Sequence, residues 1–154
     1  MNSEWSHRNA CHHDRAETRT FASRPSRRDG LAENALPRLR IKTLLHDRAS
    51  GLVTLLMRCA PGAVLPDHEH VKIEQTYVIE GRLVDKEGPE AGLAVGPGEF
   101  VWREAGSRHV AFAPEGALML AVFQIPNKFF ERDGRITDAS GEDWETLWGR
   151  LLKD

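Results

Sequence analysis

A chain of 154 residues with a formal net charge of -2 is sized for one domain around one core. It lacks the basic excess that holds nucleic acid or an anionic membrane surface. Its composition, 40% hydrophobic and 29% charged with 13 glycines and 8 prolines, is that of a globular protein rich in turns.

The N-terminus carries no apolar stretch of the export-signal kind, and no apolar run approaches the roughly 20 residues that span a bilayer. The expectation is a cytoplasmic protein with neither a membrane nor a nucleic-acid partner. Two cysteines, Cys11 and Cys59, do not make a disulfide framework. Cys59 ends an apolar run and reads as a small buried hydrophobe.

Residues 1–36 mix arginine, acid, serine and histidine without a periodic apolar face, so they are expected to form a flexible leader. Cys11, His12 and His13 resemble metal ligands, and Arg24, Arg27 and Arg28 resemble a basic patch. Without a fixed backbone neither group is preorganised, and five acidic residues offset the six arginines of the segment.

From Leu39 the chain becomes short apolar runs between turn signals. In Leu52–Cys59 the residues Val53, Leu55, Met57 and Cys59 alternate with a set that includes Thr54 and Arg58, the period-two pattern of a half-buried strand. Further strands are predicted over 39–45, 74–84, 98–103, 109–112 and 118–125. Turns such as Ala60-Pro61-Gly62 and Gly96-Pro97-Gly98 separate them. Closely spaced strands of this kind predict an all-β sandwich or barrel. At the end, Ser140 and Asp143 resemble a capping box, and Trp144, Leu147, Trp148 and Leu151 fall at helical spacing. One amphipathic C-terminal helix is predicted there, packed on the barrel or on a partner.

The chemistry concentrates between Gly62 and Gly81. On a strand, His68 and His70 point to one face. Glu74 shares their parity, but a straight strand would carry it about 13 Å from His70. The chain is therefore expected to turn through Val71 to Ile73, setting Glu74 opposite His70 and Thr76 opposite His68. Further on, a hairpin turn over 104–107 would place Trp102 opposite His109 and Phe100 opposite Ala111. Trp102, Phe100 and Thr76 would then shape a pocket around the histidines.

The first stretch matches G-x5-H-x-H-x3-E-x6-G at every fixed position, and so resembles the first motif of the cupin superfamily. The second, from Gly98 to Ala113, is similar to the second cupin motif, G-x5-P-x-G-x2-H-x3-N, with Glu104 in place of proline and Ala113 in place of asparagine. The resemblance covers roughly 39–125. It implies a double-stranded β-helix, or jelly-roll barrel, over 37–154 with the C-terminal helix appended. It also implies one divalent metal ion held by His68, His70, Glu74 and His109.

Three neutral imidazoles and one carboxylate suit Fe, Mn, Ni, Co, Cu or Zn by ligand type. Gly106-Ser107-Arg108-His109 and the tail with Asp143-Trp144 and Trp148-Gly149 are most similar to small bacterial cupins. These relatives are the acetylacetone-cleaving dioxygenases and the cupin domain of zinc-binding anti-sigma factors. The resemblance favours Fe(II) and a dioxygenase acting on a small diketone, hydroxyketone or ring substrate. Its alternatives are a non-catalytic zinc module and a cupin isomerase or lyase. Exposed sheet edges lead to the expectation of a homodimer.

Overall fold

The structure, a computed structural model, describes residues 32–33 and 38–149. Cys11, His12, His13, the three grouped arginines and Leu151 lie outside them. The described chain is all antiparallel β with one short helix. In order the strands are β1 (Ala32–Glu33), β2 (Leu39–His46), β3 (Leu52–Cys59), β4 (Ala63–His70), β5 (Glu74–Gly81) and β6 (Leu83–Glu87). They continue as β7 (Ala94–Val95), β8 (Phe100–Arg103), β9 (Arg108–Ala113), β10 (Ala117–Gln124), β11 (Asn127–Phe130) and β12 (Ile136–Thr137), and end in α1 (Trp144–Trp148).

One sheet runs β1-β2-β3-β10-β5-β8 and the other β12-β11-β4-β9-β6-β7. From β3 to β6 the strands alternate between the two sheets, which is how a jelly-roll encloses its interior. β1 pairs with β2 through Ala32↔Ile41 and Glu33↔Arg40, so ladder pairing begins inside the segment that composition assigned to the leader.

The core between the sheets follows the predicted alternation. Val53, Leu55 and Cys59 of β3 are buried and lie opposite Phe123, Ala121 and Ala117 of β10. Ala63, Val78, Ala111, Ala113 and Met119 complete a layer with several alanines, and small side chains let two sheets approach closely. Burial pushes the Cys59 thiol up to about 11, so it stays protonated and inert.

Three sequence expectations change here. The run predicted as one strand over 74–84 is two, broken at Gly81, whose φ is +73°, and its halves lie in different sheets. β7, β11 and β12 carry too little alternation to announce themselves. The helix N-cap is Asp143, whose Oδ1 accepts from the Thr146 N–H at 2.8 Å. Ser140 does not cap, because its hydroxyl is engaged by Asp138. Trp144 is the buried residue of α1, with Lys128 of β11 over its ring at 4.9 Å.

Gly81 ends the first motif for a steric reason: a Cβ there would sit 2.0 Å from the carbonyl oxygen of Gly116, where β5 meets the start of β10. At Gly106, also at positive φ, a Cβ meets nothing within 4 Å. Gly81→Ala is therefore expected to cost about 3 kcal/mol or more, and Gly106→Ala about 1 kcal/mol from backbone strain alone. Urea unfolding of both variants measures the difference.

Candidate metal centre

The rows of side chains that fill the core continue into the site. Ala63 and Leu65 of β4 are followed by His68 and His70, and Ala113 and Ala111 of β9 are followed by His109. His68 and His109 are direct cross-strand partners. The three histidines are 4%, 1% and 5% exposed respectively for 68, 70 and 109, and one ring nitrogen from each lies within 4.8 Å of the others. Glu74 arrives from the opposite sheet. Its Oε2 is 3.1 Å from His70 Nε2, and His70 Nε2 is 3.2 Å from His109 Nε2.

The hydrogen-bond partners fix which ring nitrogens face inward. His68 Nδ1 lies 2.7 Å from the Pro66 carbonyl, which can only accept, so Nδ1 carries the proton and Nε2 presents a lone pair. His109 Nδ1 lies 2.9 Å from Asp85 Oδ1. Burial alone would raise the Asp85 carboxyl, but hydrogen bonds from His109 and Arg103 hold it below the usual carboxylate range. His109 Nδ1 therefore donates, and its Nε2 also presents a lone pair. His70 Nδ1 is buried with no partner, while its Nε2 faces Glu74 and His109.

Burial pushes the His68 imidazole down to about 3, with His70 and His109 adding to the effect. Burial raises the Glu74 carboxyl, but the hydrogen bond and charge of His70 outweigh this and bring it to about 2. The inward-facing Nε2 atoms of His68 and His109 beside the Glu74 carboxylate form a pocket rich in acceptors, which suits a cation. Two donors each 2.0–2.1 Å from an ion and at right angles to one another are about 3.0 Å apart. The 3.1 and 3.2 Å separations above fit that spacing.

Around this group lies a shell the sequence did not reveal. Arg103 Nη2 donates to both Asp85 oxygens at 2.7 and 2.6 Å, and its Nη1 is 3.6 Å from Glu74 Oε2. Phe129 of β11 stacks on His68 with centroids 5.3 Å apart and planes inclined by 15°. Asp85 had a legible signal, a charged residue that shares the inner face of β6 with Leu83, whereas the inward placement of Arg103 depends on the pairing of β8 with β5. Phe129 had none, because β11 shows no alternation.

The predicted hairpins are corrected. Glu74 meets His70, but not across a β4–β5 ladder, because β4 pairs with β9 and β11 whereas β5 pairs with β10 and β8. Thr76 is buried on the same inner face of β5 as Glu74. Trp102 and Phe100 do not face His109. β8 pairs with β5 in the register Glu74↔Arg103 and Thr76↔Val101, so Arg103 and Val101 take the inner face and the aromatics between them turn outward, 60% exposed at Trp102 and 51% at Phe100. The 104–107 turn crosses between the sheets instead, fastened to β4 by Gly106 N–H donating to the His70 carbonyl at 2.7 Å and His70 N–H donating to that of Ser107 at 3.0 Å. Phe100 and Trp102 line an open groove of about 920 Å³ together with Leu93 and Val95, and Asp85, Arg103 and His109 also contribute to its lining.

The sequence matches the family model described as the ChrR Cupin-like domain over residues 33–128, more than half of the chain. It belongs to the ChrR cupin-like family. This cupin shares its fold with the acetylacetone dioxygenase of Acinetobacter johnsonii, at 15% identity and a TM-score of 0.60 over 99% of each chain. A protein of Methylibium petroleiphilum PM1 provisionally assigned as the same enzyme aligns at 19% identity and a TM-score of 0.64, over 88% of this cupin and 98% of that chain. An RmlC-like cupin of Ralstonia eutropha JMP134 aligns at 19% identity and 0.59, over 76% and 74%. No curated protein matches. No helix among the described residues is long and apolar enough to cross a membrane.

The cupin's three buried histidines can bind a metal ion. The double variant His68→Ala/His70→Ala is expected to lose tight binding of a divalent ion while the barrel still folds. Elemental analysis after dialysis, with circular dichroism as the fold control, measures both.

Proposed function

We propose that this cupin is a mononuclear Fe(II) dioxygenase acting on a small diketone, hydroxyketone or ring substrate, with His68, His70, His109 and Glu74 as the metal ligands. The observation that carries the reading is the gathering of three buried imidazoles with one ring nitrogen from each within 4.8 Å of the others, and the Glu74 carboxylate 3.1 Å from one of them. The fold shared with an acetylacetone dioxygenase along nearly the whole chain supports the choice of reaction class.

An Fe(II) ion held there by His68, His70, His109 and Glu74 would act as a Lewis acid and a template for oxygen and for a substrate with two neighbouring oxygen atoms. The chain's own residues prepare the site. The Pro66 carbonyl and the Asp85 carboxylate hold the His68 and His109 tautomers with Nε2 free. The burial of all three rings limits water at the centre. Thr76 adds a hydroxyl on the same inner face as Glu74.

A second reading has a specific observation in its favour. Three gathered imidazoles with a carboxylate beside one of them also suit a closed four-coordinate zinc site, which keeps no position for substrate. The two readings separate on anaerobic purification with elemental analysis, followed by oxygen-electrode measurements on Fe(II)-loaded protein with a panel of small diketones. Stoichiometric oxygen consumption with at least one of them is expected. Tightly held zinc, together with no oxygen consumption by the iron-loaded protein, would overturn the dioxygenase reading in favour of the zinc module.

A further inference from the structure

Two buried charges outside the ligand set remain to be explained, Asp85 on β6 and Arg103 on β8. Both are almost fully buried, and they face each other with two contacts of 2.6 and 2.7 Å. Stability alone does not account for them. A buried ion pair gives back in desolvation much of what it gains in attraction, and packed apolar side chains of similar size hold a fold equally well.

Their arrangement is informative. Asp85 reaches past Arg103 to accept the Nδ1 proton of His109 at 2.9 Å. Arg103 reaches past Asp85 to Glu74, with Nη1 3.6 Å from Oε2. The chain Glu74–Arg103–Asp85–His109 thus starts in one sheet and ends in the other, and each of its ends is a candidate ligand.

Resting on the metal-site reading above, we infer that Asp85 and Arg103 are positioning residues for the metal, joined as a clamp that sets two ligands from opposite sheets at coordinating distance. Asp85 fixes the tautomer and ring angle of His109. Arg103 fixes Asp85 with one arm of its guanidinium and restrains the Glu74 carboxylate with the other, a two-sided task that suits a planar fork and not a point charge. His68 needs neither residue, since a backbone carbonyl and the Phe129 ring hold it. The clamp therefore acts on the His109 and Glu74 side of the site.

The test uses the full chain stripped of metal and titrated with Co2+, whose visible absorption reports ligand number and geometry. The double variant Asp85→Leu/Arg103→Met removes both charges together, so no unpaired charge is left buried. It is expected to bind Co2+ some 10–100-fold more weakly than wild type, with an altered visible spectrum and an unchanged thermal midpoint of the apo form. Arg103→Lys, which keeps the charge and loses the fork, is the second variant should the first not fold. It is expected to bind several-fold more weakly and to shift the spectrum in the same direction. Nitrogen-15 shifts of the apo protein are expected to show His109 as a single Nδ1–H tautomer in wild type and as a mixture in the double variant.

Wild-type affinity and spectrum in the folded double variant, or in Arg103→Lys where only that variant folds, would overturn the clamp and leave the metal site standing. A wild-type chain that takes up no Co2+ would overturn both.

Discussion

Imidazole lone pairs and a carboxylate oxygen crowded to about 3 Å in a dry interior repel one another unless a positive charge lies among them. That constraint organises this half of the barrel. Every device around the histidines keeps protons off the inward-facing nitrogens or stops the rings from turning away: the Pro66 carbonyl, the Asp85 carboxylate and the stacked Phe129 ring. His70 is the exception: its Nδ1 is buried with no partner, and its Nε2 faces the Glu74 carboxylate at 3.1 Å.

The apolar half of the barrel supplies what the polar half cannot, a rigid frame. The ladder that carries Ala63, Leu65, Ala111 and Ala113 through the core also sets His68 opposite His109, so the spacing of two donors is inherited from backbone hydrogen bonds. Glu74 depends instead on the separation of the two sheets, which is set by the core residues packed between them. Metal binding and core packing are coupled through geometry: a change that spreads the sheets moves one donor away from the rest.

Much of this was legible in the residues. Period-two alternation located β3, apolar runs between turn signals located β2, β5, β8, β9 and β10, and the match to the cupin motifs located the four candidate ligands. Strand pairing was not legible. Sequence-adjacent strands suggest hairpins, whereas here β4 and β5, and likewise β8 and β9, belong to different sheets. That single difference reverses the parity on β8 and exchanges Trp102 for Arg103 at the inner face, because a register set by β5 cannot be read from the turn that follows β8. Asp85 was missed for a related reason, since the break at Gly81 hid the start of a new strand whose inner face it shares with Leu83.

Pro66 sits where β4 takes two residues against one on β9, between the pairs Leu65↔Ala111 and His68↔His109. A residue without an N–H is suited to such a bulge, and the bulge frees its carbonyl for His68. The two cross-strand histidines are therefore anchored by different kinds of group. One anchor belongs to the main chain, present whatever side chain occupies position 66, and the other is the side chain of residue 85. Substitution can retune the electron density and orientation of the ring at 109 while the ring at 68 stays as the bulge dictates, so natural variation or engineering has one adjustable imidazole and one fixed reference.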